Sequence, residues 1–223
     1  MNEGLTKFLA TSCYSFGKDR DDHIVKLIKK GRAFTRKQIE DIIMVDRKSS
    51  KRIAQYALAR LCRQERIKKK VYAPQLPSVY FVGKRPINIE HTLMINEVYC
   101  ELLKQKSPGV TVEFKWSYSI LDGIVFADAM VDIFIEPGRK DRKVVFIEIE
   151  RCPSKRFNKP EQYQKIYDSD WTNEEWAVIK DRTAIFPTIL VVTDFNPPIK
   201  SELNFIVASI DEIKKDVYSI LRR

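Results

Sequence analysis

RKSSKRIAQYALARLCRQERIKKK, residues 47–70, is the stretch on which the reading of this chain turns. It holds ten Lys or Arg and one acid, Glu65. Ile53, Ala57, Leu58 and Leu61 recur at helical spacing, so one side can pack while the other stays cationic. Such a helix suits a polyanion. A membrane-surface helix would want Trp, Phe and Leu opposite its charges. Here the apolar side carries Ala54, Ala57 and Ala59, which is too small a face for that role.

The flanking sequence gives this helix a place in a fold. Residues 1–20 read as an irregular arm. Asp21 and Asp22 predict a helix start, Ile24, Val25, Leu27 and Ile28 form its apolar stripe, and Gly31 closes it. Thr35-Arg36-Lys37-Gln38 has the capping-box pattern and predicts a second helix to about Ile43, with Ile39, Ile42 and Ile43 apolar. Ser49 or Ser50 can cap the basic helix, which then runs to about Gln64. Strands are expected over residues 67–72 and 79–82, joined by a Pro-bearing loop at 73–78. Three helices followed by a two-stranded ribbon is the order of a winged helix-turn-helix.

In that fold the third helix enters the major groove and the wing touches adjacent backbone. The residues expected nearest the bases are Arg47, Lys48, Ser49, Ser50, Lys51, Arg52 and Gln55. Arg or Lys can hold a guanine edge, Gln can hold adenine, and Ser suits phosphate. Tyr56 and Arg60 are placed to reach backbone phosphates. Lys68, Lys69 and Lys70 lie where the ribbon begins, and Gln75 at the wing tip. A winged module that docks protein instead of DNA is the competing reading, and a gel shift over a salt series separates the two.

Charge is divided unevenly along the 223 residues. Residues 1–85 carry 21 Lys and Arg against 8 Asp and Glu, a balance of +13, while the remainder carries −3. The basic character therefore belongs to the N-terminal part, which favours nucleic acid over general solubility. A hydrophobic fraction of 44% is ample for a core. Cys13, Cys62, Cys100 and Cys152 form no CxxC pair, so a structural zinc site is not expected. Scattered cysteines suit a reducing cytoplasm. Neither a signal peptide nor a membrane span is expected from the hydropathy.

Gly83-Lys84-Arg85-Pro86 reads as a linker, dividing a winged module at 21–85 from an α/β domain at 86–223. In the second part a helix is expected from about Glu90 to Lys106. Strands follow at 110–116, 128–135 and 143–150, the last two joined as a hairpin across residues 136–141. Helices are expected near 159–168 and 173–181, then a buried strand at 188–193 and a closing helix at 209–221. The fold class is therefore α+β.

Carboxylates mark the chemistry of this half. Glu148 and Glu150 lie two apart at the end of an apolar strand, so both should point to one face. Two such groups need a cation, a proton or a basic partner if buried. Asp128 and Asp132 also share a face. If the hairpin sets Asp128 beside Glu148, the cluster resembles an acidic magnesium site, with Glu97 on the preceding helix able to complete it and Glu150 beside it. Solvated acids paired with lysines are the plainer reading.

Short pieces of the chain carry a family resemblance. They are Val79-Tyr80-Phe81-Val82, His91 with Asn96-Glu97, Ala127-Asp128-Ala129, Glu148-Ile149-Glu150-Arg151, Lys159…Tyr163…Tyr167…Trp171 and the strand at 186–193. Over roughly residues 21–193 the chain resembles the replication-relaxation proteins of bacterial plasmids, phages and related mobile elements. Those proteins join a winged helix to a domain similar to PD-(D/E)XK nucleases, a restriction-endonuclease-like α/β fold. The resemblance implies that Asp128 matches the motif aspartate, Glu148 the acid of (D/E)XK, and Glu97 the optional glutamate of the first helix. Glu150 stands where the family's lysine would be. Lys155, Lys159 or Lys165 would then have to reach the site from the next segment. A double-stranded DNA partner is implied, with a homodimer or replication and transfer proteins as further partners, and Mg²⁺ as the cofactor of any active site. The expectation is a DNA-binding protein with a degenerate nuclease-like domain, acting in replication, DNA processing or transcription control. The alternative is a Mg²⁺-dependent endonuclease targeted by the winged helix.

Overall fold

The computed structural model describes residues 15–43, 49–72, 76–135, 141–153, 157–177 and 184–222. The chain divides into two compact units, Met1–Leu93 and Met94–Arg223, and it is a mixed α+β protein with two separate sheets.

In the first unit the order is α1 (Ser15–Gly31), β1 (Ala33–Thr35), α2 (Arg36–Ile43), α3 (Ser50–Arg63), β2 (Lys68–Lys70) and β3 (Val79–Phe81). Ile24, Val25, Leu27 and Ile28 of α1 are buried, as are Ala54, Ala57, Leu58 and Leu61 of α3. The apolar stripes read from the sequence are thus the packed faces, with Ala54 buried where Ile53 is half-buried. At the start of α2 the capping box forms in both directions. Thr35 N donates to Gln38 Oε1 at 3.0 Å and Gln38 N donates to Thr35 Oγ1 at 3.2 Å.

Three local expectations are corrected. First, α1 begins at Ser15, ahead of Asp21 and Asp22. Those acids do not serve the helix dipole: Asp21 is 4% exposed and binds Arg60, and Asp22 binds Arg66. Second, Ser49 occupies the N-cap of α3 without a side-chain bond, while Ser50 Oγ donates to Glu40 Oε1 at 2.7 Å. Third, the two strands are shorter than expected and a third joins them. β1 pairs antiparallel with β3, giving the order β1-β3-β2. Three residues are too few for an alternation to be visible in sequence.

Helix α4 (Ile89–Gln105) runs across the division between the units. Its first turns belong with the first unit, where Ile89 and Leu93 pack against Ala33, Val79 and Phe81.

The second unit is a five-stranded sheet in the order β4-β5-β6-β7-β8, formed by β4 (Val110–Ile120), β5 (Val125–Ile135), β6 (Asp141–Ile149), β7 (Thr188–Val192) and β8 (Phe205–Ala208). β4, β5 and β6 are antiparallel neighbours, and β7 and β8 add in parallel. Every residue of β7 is buried, as a parallel strand covered on both faces should be. One face is covered by Ile95, Val98 and Leu102 of α4 with Ile213, Val217 and Ile220 of α6 (Ile210–Ile220). The other is covered by Tyr163 and Ile166 of α5 (Lys159–Tyr167) with Trp171 and Trp176. Strand β8 was not foreseen, because residues 194–204 give no pattern that leads into it. Residues 173–177 form turns where a helix was expected, and the rest of that expected helix lies outside the described residues.

One irregularity positions the site. Ser117 has φ 53°, in the left-handed region that non-glycine residues seldom adopt. On its N-terminal side Phe114 and Trp116 pack with the α4–α6 layer, and on its C-terminal side Tyr118 and Ile120 pack with the α5 layer. On β5, Ala129 and Ala127 divide in the same way. The β4–β5 ribbon therefore changes faces at Ser117 and at the facing position, Asp128. Among the described residues no helix is long and apolar enough to cross a membrane.

Candidate functional site

Two features of the described residues can carry chemistry, one in each unit. In the first unit the buried side of α3 leaves Lys51, Arg52, Gln55, Tyr56 and Arg63 exposed. Tyr56 is 64% exposed, and the Arg52 guanidinium lies 6.0 Å from the centre of its ring. β2 is an edge strand whose three residues, Lys68, Lys69 and Lys70, are all exposed. An edge strand made only of lysines resists pairing with another sheet, and it presents three charges along about 10 Å.

Arg60 departs from its expected role. Its Nε and Nη2 donate to Asp21 at 2.8 and 2.7 Å, a bidentate pair against a buried carboxylate. That bond holds the Arg60 guanidinium pKa above its usual value, and it ties α3 to α1 in place of reaching outward. Ser50, bound to Glu40, is likewise engaged. Arg47, Lys48 and Gln75 lie outside the described residues.

In the second unit the ladder between β5 and β6 ends at Ala129 opposite Ile147, so one step further Asp128 stands opposite Glu148. The hairpin register does bring the two acids together. Asp128 Oδ2 accepts from Ile149 N at 2.8 Å. Glu148 is 2% exposed and both its oxygens are engaged. Tyr163 OH donates to Oε1 at 2.8 Å, and Lys159 Nζ lies 2.9 Å from Oε2. Lys159 also donates to Phe126 O at 3.0 Å. Lys159 and Tyr163 are four apart on α5 and so share one helix face. That spacing is present in the sequence, where Tyr163 has no assigned role beside Lys159.

The rest of the expected acidic set is not assembled. Glu150 lies just past β6, where the period-two rule no longer applies, and its Oε1 accepts from Cys152 N at 2.9 Å. Glu97 faces α6, 3.6 Å from Lys214 Nζ. Asp132, 4% exposed, is bound by Arg142 through both oxygens at 2.9 Å, and the Arg142 guanidinium lies 5.6 Å from the Phe134 ring. Among the described residues no three His, Cys, Asp or Glu side chains are grouped to hold a metal ion. Glu148 has a tyrosine hydroxyl on one oxygen and an ammonium beside the other, so each oxygen already has one partner. Of the expected acids the fold brings Asp128 and Glu148 near each other, and Mg²⁺ there would have to share Glu148 with Tyr163 and Lys159. Lys155 lies outside the described residues.

Burial pushes the Glu148 carboxyl up to about 7; Lys159 opposes the shift and Asp128 adds to it. Burial likewise raises the Tyr163 hydroxyl well above its ordinary value. The sign of the Glu148 effect on stability follows from linkage. The folded pKa exceeds the unfolded value of 4.5, so between 4.5 and about 7 the folded state holds more protons. Stability from this group is full below 4.5 and is lost as pH rises through 7. Glu148→Gln should flatten that part of the profile. In urea denaturation at about pH 5 and about pH 7.5, the wild type should lose on the order of 2–3 kcal/mol more than the variant. Equal losses in the two proteins would refute the assignment.

No protein-family model, no curated protein and no solved structure matches this chain.

Proposed function

We propose that this chain is a DNA-binding protein of the replication-relaxation type, in which a winged helix-turn-helix grips duplex DNA and a nuclease-like domain serves assembly, further contact or regulation without cutting. The carrying observation is the exposed cationic surface of α3 beside the all-lysine edge strand β2. Its contacts are Ser49, Lys51, Arg52, Gln55 and Tyr56 with Lys68, Lys69 and Lys70. The element order and the sheet order β1-β3-β2 support a winged module. Support for the nuclease-like reading comes from the helix, antiparallel strands, helix and parallel strands of the second unit, with Asp128 opposite Glu148. Cysteines scattered along the chain without a CxxC pair suit a cytoplasmic protein.

A second reading, a Mg²⁺-dependent endonuclease, is favoured by one observation. Lys159 sets an ammonium 2.9 Å from Glu148, which supplies a lysine to a motif that has Glu150 in its usual place. Against it stands the engagement of both Glu148 oxygens by Tyr163 and Lys159. Supercoiled plasmid incubated with the protein, with and without Mg²⁺, decides between the two. The expected outcome is retarded but uncut plasmid in both. Mg²⁺-dependent nicking that disappears in Asp128→Ala and Glu148→Ala would establish the second reading instead.

A further inference from the structure

The first unit contains a second cationic surface that the α3 reading does not use. A cleft of about 630 Å³ is lined by Lys29 from the end of α1, by Arg32, and by Lys84 and Arg85 from the segment after β3, with Asn88 and His91 at the start of α4. Among the described residues no Asp or Glu lines it. All four cations are exposed. Lys29 and Arg32 suit the C-terminal end of the α1 dipole, but that explanation does not extend to Lys84 or Arg85. Four like charges converging on one concavity repel each other unless an anion neutralises them.

The backbone is shaped to make this convergence. Arg32 holds φ 65° directly after Gly31, a conformation in which a side chain is uncommon. Gly83, with φ 70°, reverses the chain after β3. That reversal carries Arg85 back over Tyr72, its guanidinium 5.9 Å from the ring centre. Tyr72 follows the lysines of β2, so Arg85 joins the cleft to the cationic edge strand.

We propose that this cleft binds the phosphodiester backbone of DNA flanking the segment held by α3 and the wing. The proposal rests on the DNA-binding reading and extends its footprint. Lys29, Arg32, Lys84 and Arg85 carry the phosphate contacts, with no base reading.

Fluorescence anisotropy with the full chain and two duplexes, about 12 and about 30 base pairs, tests it. Each phosphate neutralised adds about 0.9 to the slope of log affinity against log salt. The long duplex should therefore show a slope steeper by about 3–4 in the wild type. Lys84→Ala with Arg85→Ala should reduce the long-duplex slope by about 2 and leave the short duplex unchanged. The charge reversal Lys84→Glu with Arg85→Glu should deepen the loss, with an unaltered circular dichroism spectrum. If Lys51→Ala with Arg52→Ala weakens both duplexes while the cleft variants match the wild type on both, this proposal falls and the DNA-binding reading stands. A cleft variant that loses the short duplex equally also overturns it. If the wild type binds neither duplex, both readings fall.

Discussion

Lys51→Glu with Arg52→Glu should lower affinity for duplex DNA roughly a hundredfold at moderate salt, because two charge-assisted contacts of about 1.5 kcal/mol each are lost. Both side chains are exposed on the first turn of α3, so the fold should tolerate the change. The salt slope should fall by about 2 at the same time. That second number separates a loss of phosphate contacts from a loss of fold, since an unfolded protein would lose affinity at every salt concentration. Gln55→Ala tests a different property. If Gln55 reads an adenine edge, its removal should relax discrimination among sequences by about 1–3 kcal/mol at one base pair and leave the salt slope alone. A charge-reversed protein that binds DNA as tightly as the wild type, with the same slope, would leave a protein-docking winged module as the better account.

The largest stability effect is expected at Asp132. Its carboxylate is buried in the second unit and accepts from Arg142 through both oxygens, and that guanidinium is itself only 14% exposed. Hydrogen bonding to Asp132 holds the Arg142 pKa above its ordinary value, ahead of the opposing effect of burial. Asp132→Ala takes the charged partner from the half-buried Arg142, which keeps Glu175 O as a neutral acceptor. Breaking such a pair from one side costs about 3–5 kcal/mol, a large part of the roughly 5–15 kcal/mol that holds a domain. Replacing both members, Asp132→Leu with Arg142→Met, should cost far less, because neither variant side chain then needs a counter-charge. Urea denaturation of the wild type, the single variant and the double variant gives the comparison. A single variant within 1 kcal/mol of the wild type would show that solvent reaches Arg142 more freely than its exposure indicates.

Much of the architecture is legible in the sequence because it is written in local terms. The capping box at Thr35 and Gln38 needs only residues three apart, and it forms as read. Ala57, Leu58 and Leu61 follow helical period and are buried. The continuous apolar run at 188–192 is a fully buried strand. Strands β1 and β8 escaped notice for the converse reason. Each is three or four residues long and is a strand only because a partner, β3 or β7, lies beside it.

The site shows the same division. Spacing along the chain placed Asp128 and Glu148 on two adjacent strands, and pairing of the hairpin sets them opposite each other. Spacing could not say which base would meet Glu148. Lys159 was one of three lysines able to serve, and only the docking of α5 on the sheet selects it, together with Tyr163. Nor could it show that Arg60 turns back to Asp21, 39 residues earlier in the chain. On the linear chain Arg60 is one of ten cations in a basic stretch, and its partner is set by the packing of α3 against α1.

What the sequence alone determined is therefore the order of the longer elements, the buried stripes of α1 and α3, and the concentration of positive charge in the first 85 residues. These depend on periodicity and composition, which are properties of neighbours along the chain. Tertiary structure decided which charges face outward, which are consumed in pairs such as Asp21–Arg60 and Asp132–Arg142, and whether the carboxylates gather. The reason is that an ionic side chain is long and its partner is whichever opposite charge the fold brings within about 3 Å, a distance that sequence separation does not encode.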